Sequence, residues 1–342
     1  MTDEPRQQAR AHRPGLREVA ESAGVSLATV DRVLNERGSA SAETARRVIE
    51  AARRLGLRRT LPLPYRRTLR LEVVLERSET SFFVRFTQAI RQVAGTLDRG
   101  VIIARTLLEE GRTRGMAARI RASEADGLIL YAAEHPEIAA AITDRAGRGP
   151  VVCVVTDMPG TPRLAYVGID HERAGRTAGL FAARLTGGQG SALVLANRLA
   201  FQAHQARVEG FRAALAQYGP GMAVAEVIEG RDDKARTAAL LRAGLRRHPA
   251  ISALYHTGGW NREVGAALVE AGLAGRIVFI GHELTAAATE MLRAGTMSLA
   301  IDQAPELQAR RAIEALLKHL GALPPDATPN EIPFTLHSAE NC

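Results

Sequence analysis

Cysteine is nearly missing: only Cys153, inside an apolar run, and Cys342, at the end, occur in 342 residues. A disulfide framework and a thiolate metal site are both excluded, and stability must come from packing. Aromatic residues are sparse at 4%, with a single tryptophan, Trp260, and only two lysines stand among 45 basic residues. Long apolar runs are lacking too. None approaches the eighteen residues that a membrane span needs, and the opening MTDEPRQQARAHRPG is polar, with no hydrophobic segment of a secretory signal. A cytoplasmic chain with no membrane partner is therefore expected. Disorder throughout is excluded by what is present, since 46% hydrophobic and 24% charged residues suffice for two or three packed domains.

The net charge of +8 is unevenly placed. Residues 1–70 hold 15 Arg against 8 Asp and Glu, a net of +7, which leaves 30 basic against 29 acidic residues for 71–342. An arginine-rich composition alone would not sort charge by segment, so the first seventy residues are expected to meet nucleic acid.

Residues 1–14 carry Pro5, Pro14 and several Gln and Arg with no apolar period, which reads as a disordered basic arm. Residues 15–60 then hold three short helices. In LREVAESAG the apolar residues Leu16, Val19, Ala20 and Ala23 fall at helical spacing and Gly24 stops the run; VSLATVDRVLN opens on Ser26 as an N-cap; SAETARRVIEAARRLGL opens on Ser41. Two helices separated by a tight turn fit a helix-turn-helix, whose second helix enters the DNA major groove. Residues 61–70, with Pro62 and Pro64 among arginines, read as an extended hinge linker. From residue 71 short apolar runs such as LRLEVVLE, ADGLILYA and PVVCVVTD alternate with helical stretches of ten to fifteen residues. About ten such units predict α/β architecture: two doubly wound, parallel-sheet lobes, one over about 71–169 and 304–326, the other over about 170–303 and 327–342.

The head residues carry a resemblance. LREVAESAGVSLATVDRVLN followed by SAETARRVIEAARRLGL resembles the N-terminal domain of LacI/GalR-family repressors, with the A-G-V-S turn at Ala23 to Ser26 and the T-V-x-R-V-x-N run at Thr29 to Asn35. The remainder resembles that family's periplasmic-sugar-binding-protein-like core, so the likeness spans nearly the whole chain. It implies that Leu27, Ala28 and Arg32 read bases, Arg32 by a bidentate pair with guanine, and that Ser26, Thr29 and Asn35 position the helix. Leu16, opening the first helix, is counted with this DNA face. Two features depart from the family pattern. Asp31 stands where serine is usual, and Pro62 and Pro64 disfavour the hinge helix through which relatives insert a leucine, here Leu61 or Leu63, into the minor groove.

Ligands of open α/β sheets bind at the carboxyl ends of strands. Candidates there are Phe82, Phe83, Asp157, Arg207, Trp260, Asn261, Glu283 and Gln303, a set with apolar faces for a sugar's C–H surface and polar groups for its hydroxyls. The resemblance adds Arg207 directly, through its R-x-E-G-F segment; the alternative for the aromatics is a place in the core. Asp170 reads as a helix cap. Catalytic frames are missing: GGQGSA precedes a strand instead of following one, and there is no G-x-x-x-x-G-K-[ST], G-x-S-x-G or H-E-x-x-H. His256 and His282 end neighbouring strands beside Glu283, but no further spacing supports a metal. No cofactor, metal or catalytic residue is expected.

These readings predict a transcriptional regulator, a homodimeric repressor that binds a palindromic double-stranded operator and responds to a small, carbohydrate-like effector between its lobes. One recognition helix makes too few contacts for specific affinity, and two read a palindrome. The ending HSAENC lacks an apolar heptad, so no tetramerising coiled coil is expected. Two alternatives stay open: a phosphorylated or acidic effector with Arg207 as its anion contact, and a sugar-binding protein without operator selectivity.

Overall fold

The computed structural model describes residues 14–35, 40–57, 68–97, 100–109, 111–325 and 331–342. The expected basic arm up to residue 13, and the linker over 61–67 with Leu61, Pro62, Leu63 and Pro64, lie outside the described residues.

Among the described residues the head is three helices, α1 (Leu16–Ala23), α2 (Leu27–Leu34) and α3 (Ala42–Arg54). Its boundaries follow from local chemistry. Gly24 closes α1 with a left-handed φ of 63°, a conformation that costs glycine nothing. The hydroxyls of Ser26 and Ser41 accept from the backbone N–H of Thr29 and Thr44 at 3.1 and 3.2 Å, capping α2 and α3. Val19, Val30, Val33, Leu34, Val48 and Ile49 form a small separate core.

The remainder builds two sheets. The first is all parallel, in the order β2 (Val101–Leu108), β1 (Leu69–Glu76), β3 (Gly127–Tyr131), β4 (Val151–Val154), β5 (Ala165–Val167). Helices α4 (Ser81–Thr96) and α12 (Pro305–His319) cover one face through Leu71, Val73, Ile129, Phe86 and Ile313. On the other face α5 (Thr113–Ala122) and α6 (Pro136–Arg145) meet Val74, Leu128 and Cys153. Burial on both faces is why these strands read as continuous apolar runs.

The second sheet runs β11 (Thr335–His337), β10 (Leu299–Asp302), β9 (Val278–His282), β8 (Ile251–His256), β6 (Gln189–Ala196), β7 (Gly221–Glu229). It is parallel except for β11, which pairs antiparallel with β10 at the edge. One face carries α7 (His171–Leu185) and α8 (Gln202–Tyr218); the other carries α9 (Lys234–Arg247), α10 (Asn261–Glu270) and α11 (Ala286–Arg293). The chain passes between sheets at 168–170, at 303–304 and after α12, so the carboxyl ends of both sets of strands flank one cleft.

Helices α7 and α8 approach so closely that only glycine fits at their crossing. A Cβ on Gly210 would stand 2.2 Å from the Glu172 carbonyl oxygen, and one on Gly175 would stand 2.1 Å from that of Arg207. Gly210→Ala is therefore expected to cost about 1–3 kcal/mol, the usual range for forced overpacking. Thermal melting checks this: a wild-type midpoint would mean that the crossing is looser than described.

Candidate effector cleft and DNA-facing helix

In the head, Val30, Val33 and Leu34 are buried while Ser26, Leu27, Ala28 and Arg32 are exposed on the opposite side of α2, Leu27 by 42%. An exposed leucine beside an exposed arginine is a poor solvent face but a usable groove-reading one. Thr29 is half-buried, its hydroxyl 2.8 Å from that of Ser26. Asn35 donates to Asp31 Oδ1 at 2.6 Å, one turn back, so the unusual aspartate fastens the asparagine along the helix. Leu16 is half-buried against the head core.

In the core, the cleft holds a cavity of about 40 Å³, room for roughly two or three water molecules. Its walls come from both lobes. The first supplies Thr80, Phe82, Phe83 and Tyr131; the second supplies Asn197, Phe201, His204, Arg207, Asp232, Glu283 and Gln303. Phe83 and Tyr131 lie 4.4 Å apart, and Tyr131 stacks on Phe201 of the opposite lobe at 4.9 Å with ring planes 1° apart. Phe82 and Phe83 belong both to the hydrophobic core and to the cavity wall.

Arg207 is fully buried from the second turn of α8. Its Nε and Nη2 donate to His171 Nδ1 at 3.2 and 3.1 Å, its Nη1 donates to the Thr257 carbonyl, and its Nη2 also donates to Gln303 Oε1. Burial and the adjacent Arg207 hold His171 well below the ordinary histidine range, as a neutral acceptor. Gln303 passes the chain on by donating to Glu283 Oε1, and Arg85 of α4 donates to Glu283 Oε2 at 3.2 Å. Arg85 also pairs with Asp302 at 2.5 Å and Glu306 at 2.7 Å, joining the first lobe to the crossover between β10 and α12. A second pair across the cleft, Arg198 with Glu76, lies at 2.5 Å.

Burial, with Asp302 alongside, pushes the Glu283 carboxyl up to about 8, against the opposing pull of Arg85, Gln303 and Arg207. A carboxyl raised on folding contributes stability below its unfolded value near 4.5, and that contribution is lost as pH rises through its folded value. Glu283→Gln is accordingly expected to gain melting temperature relative to wild type as pH goes from 5 to 8. A difference independent of pH would refute the shift.

The strained backbone lies around the same cleft. Among the described residues, Val155, Arg231, Asp232, Trp260, Glu283 and Ala304 are the non-glycines with left-handed φ, between 51° and 73°, and all follow strand ends. Such conformations cost of order 1–3 kcal/mol each and gather at ligand sites.

Of the eight expected effector residues, Phe82, Phe83, Arg207, Glu283 and Gln303 line the cavity together, whereas Asp157, Trp260 and Asn261 are not part of its wall. Asp157 is engaged by Arg163, whose Nη2 lies 2.5 Å from Oδ2. Trp260 donates its indole N–H to the Asp232 carbonyl at 3.1 Å. Asn261 lies beneath the wall, donating to the His282 carbonyl at 2.6 Å, with Oδ1 2.8 Å from His256 Nδ1. Asp170 caps α7, accepting from Arg173 N–H at 2.9 Å. Among wall residues not expected, Tyr131 and Asn197 end or follow β3 and β6 and Asp232 follows β7. The strand-end rule, applied to these three strands as well, names them.

The family models match in two blocks: bacterial regulatory proteins of the lacI family over residues 15–59, and a periplasmic binding protein domain over 71–323. The chain belongs to the periplasmic binding protein domain family and carries a lacI-type head. Catabolite control protein A of Streptococcus mutans is 28% identical over 164 residues, 47% of this chain and 49% of that protein. The ribose operon repressor of Halalkalibacterium halodurans is 29% identical over 118 residues, 34% of this chain and 36% of that protein. The chain thus spans half or less of the length of these curated relatives. The periplasmic-binding core superposes on GanP, a glucose-galactose binding protein from Geobacillus stearothermophilus, with a TM-score of 0.72 at 21% identity, over 80% of this chain and 98% of that one. A Bacillus halodurans solute binding protein with bound myo-inositol superposes with a TM-score of 0.72 at 17% identity, over 81% and 96%. Both likenesses establish the fold. Among the described residues no helix is long and apolar enough to cross a membrane.

Proposed function

We propose that this chain is a cytoplasmic transcriptional regulator, a homodimeric repressor whose affinity for a palindromic operator is set by a small carbohydrate held between its lobes. The observation that carries this is the joining, in one chain, of a lacI-type head to a two-lobed core whose cleft is walled by aromatic rings and hydrogen-bonding side chains. Leu27, Ala28 and Arg32 face the bases; Ser26, Thr29 and Asn35 set the helix on the backbone, with Leu16 beside them. The chain acts by binding, and its cleft does no chemistry. Because the cavity is far smaller than a sugar ring, the effector enters with the lobes parted and closes them on itself, and closure resets the spacing of the two heads. The relatives named as an operon repressor and as a catabolite control protein support this reading.

Selection of bound sequences from randomised DNA, followed by polarisation binding at two salt concentrations, tests it. The expected result is a palindrome with half-sites about one helical turn apart. Unselective binding that vanishes at higher salt would mean that the head holds phosphates alone, and the operator reading would fall.

A further inference from the structure

Whether the effector is neutral or anionic is decided by which polar atoms of the cavity wall are still available. Among the described residues the only arginine in the wall is Arg207, and each of its three nitrogens already donates to a buried protein acceptor: His171 Nδ1, the Thr257 carbonyl and Gln303 Oε1. Arginine clamps a phosphate or carboxylate most strongly with two parallel N–H groups of one guanidinium. Here that would take a donor from His171 or Gln303. The other acidic or basic side chains in the wall are Asp232 and Glu283, both carboxyls, with His204 and His282, which burial holds well below the ordinary histidine range. An entering anion would meet two carboxyls and a single cation, Arg207, whose donors already serve buried neutral acceptors, so the charge of Arg207 would offset only part of the anion's desolvation cost.

What is available is uncharged. Asn197, only 4% exposed, donates through Nδ2 to Asp232 while its Oδ1 has no partner, and the fully buried His282 has none at Nδ1. Native structures leave few such atoms without a purpose. The Tyr255 hydroxyl lies 2.8 Å from His282 Nε2. Donation of the phenol proton to Nε2 puts the proton of the neutral imidazole on Nδ1, so His282 presents a donor where Asn197 presents an acceptor. Asn197 follows β6 and His282 ends β9, with β8 between them, a separation of about two strand spacings or 10 Å at the backbone. Gly258 makes room for the asparagine, since a Cβ there would stand 2.3 Å from Asn197 Oδ1. Ser78, Thr80 and Ser81 line the cavity from the other lobe, and Phe82, Phe83, Tyr131 and Phe201 supply apolar faces.

We infer that the effector is an uncharged polyhydroxylated ring, with one hydroxyl donating to Asn197 Oδ1 and another oxygen accepting from His282 Nδ1, and that phosphorylated sugars and sugar acids are excluded. This rests on the carbohydrate-effector reading above and adds the charge class and the two residues that read it.

Calorimetric titration of the full-length protein tests it, with a panel of neutral probes (D-ribose, D-arabinose, D-galactose, D-fucose, D-allose, myo-inositol) and of anionic ones (ribose 5-phosphate, glucose 6-phosphate, galacturonate). A neutral member is expected to bind, with its phosphorylated or uronate counterpart weaker by on the order of 100-fold or more. Asn197→Leu is expected to weaken the neutral ligand about ten-fold and, by removing a donor to Asp232, to lower the melting temperature while the protein stays folded. An anionic probe binding as tightly as the neutral ones would overturn the inference and leave the carbohydrate reading standing. Full affinity in a folded Asn197→Leu protein would overturn the assigned contact. No binding by any probe, neutral or anionic, would overturn both the inference and the reading beneath it.

Discussion

Arg207→Leu is expected to abolish effector binding, by a factor on the order of 100 or more, and to lower stability by several kcal/mol. Three buried acceptors, His171 Nδ1, the Thr257 carbonyl and Gln303 Oε1, would lose their donor together, and each unsatisfied buried group costs about 1–3 kcal/mol. The loss of binding has a separate cause. Gln303 is oriented at one end by Arg207 and at the other donates to Glu283, which Arg85 holds from the facing lobe. Removing Arg207 frees Gln303 to rotate and loosens the wall on both sides of the cavity. Arg207→Lys should restore little, because one ammonium cannot reach three acceptors set for a planar fork. Titration with a neutral sugar, alongside thermal melting and operator binding without effector, separates the effects: effector binding and melting temperature fall while operator affinity holds. Arg207→Lys binding sugar with wild-type affinity would remove Arg207 from its place as organiser of the cleft.

Much of this arrangement is legible in the sequence where the controlling interactions are local. Gly24, Ser26 and Ser41 mark helix ends because a left-handed turn and a hydroxyl cap act within three residues, and these do end or begin α1, α2 and α3. The alternation of apolar runs and helices reports two-faced burial, and both sheets follow from it. The cleft is legible in part, because the strand-end rule fixes which residues reach the cleft but not how the chain turns after them. Beyond β4 the chain folds back so that Arg163 meets Asp157. Beyond β8 it enters a left-handed turn at Trp260 that sends the indole to Asp232 and tucks Asn261 beneath the wall. Those outcomes depend on loop geometry that residue types alone do not encode. The short edge strand β11 escapes for a related reason: three residues, Thr335–His337, carry no periodicity, and their pairing is set by β10 already being in place.

Arg32→Ala is expected to remove operator selectivity while leaving effector affinity and melting unchanged. Arg32 is exposed on the face of α2 opposite Val30, Val33 and Leu34, so its loss disturbs no packing. A bidentate arginine–guanine pair discriminates by about 1–3 kcal/mol, and a dimer on a palindrome loses two, so affinity for the selected site should fall on the order of 100-fold or more. Binding to unrelated DNA should fall far less, because that affinity comes from phosphate neutralisation shared over the basic head. Asp31→Ser makes the complementary test. It breaks the 2.6 Å hydrogen bond between Asn35 and Asp31 and removes a negative charge from the face proposed to meet DNA, so it should strengthen binding to all sequences while leaving the preferred base unchanged. Polarisation titrations of both variants on the selected palindrome and on a scrambled duplex read these differences. If Arg32→Ala weakened both duplexes equally, Arg32 would be a phosphate contact, and the sequence reading would have to come from Leu27 and Ala28 through apolar contact alone.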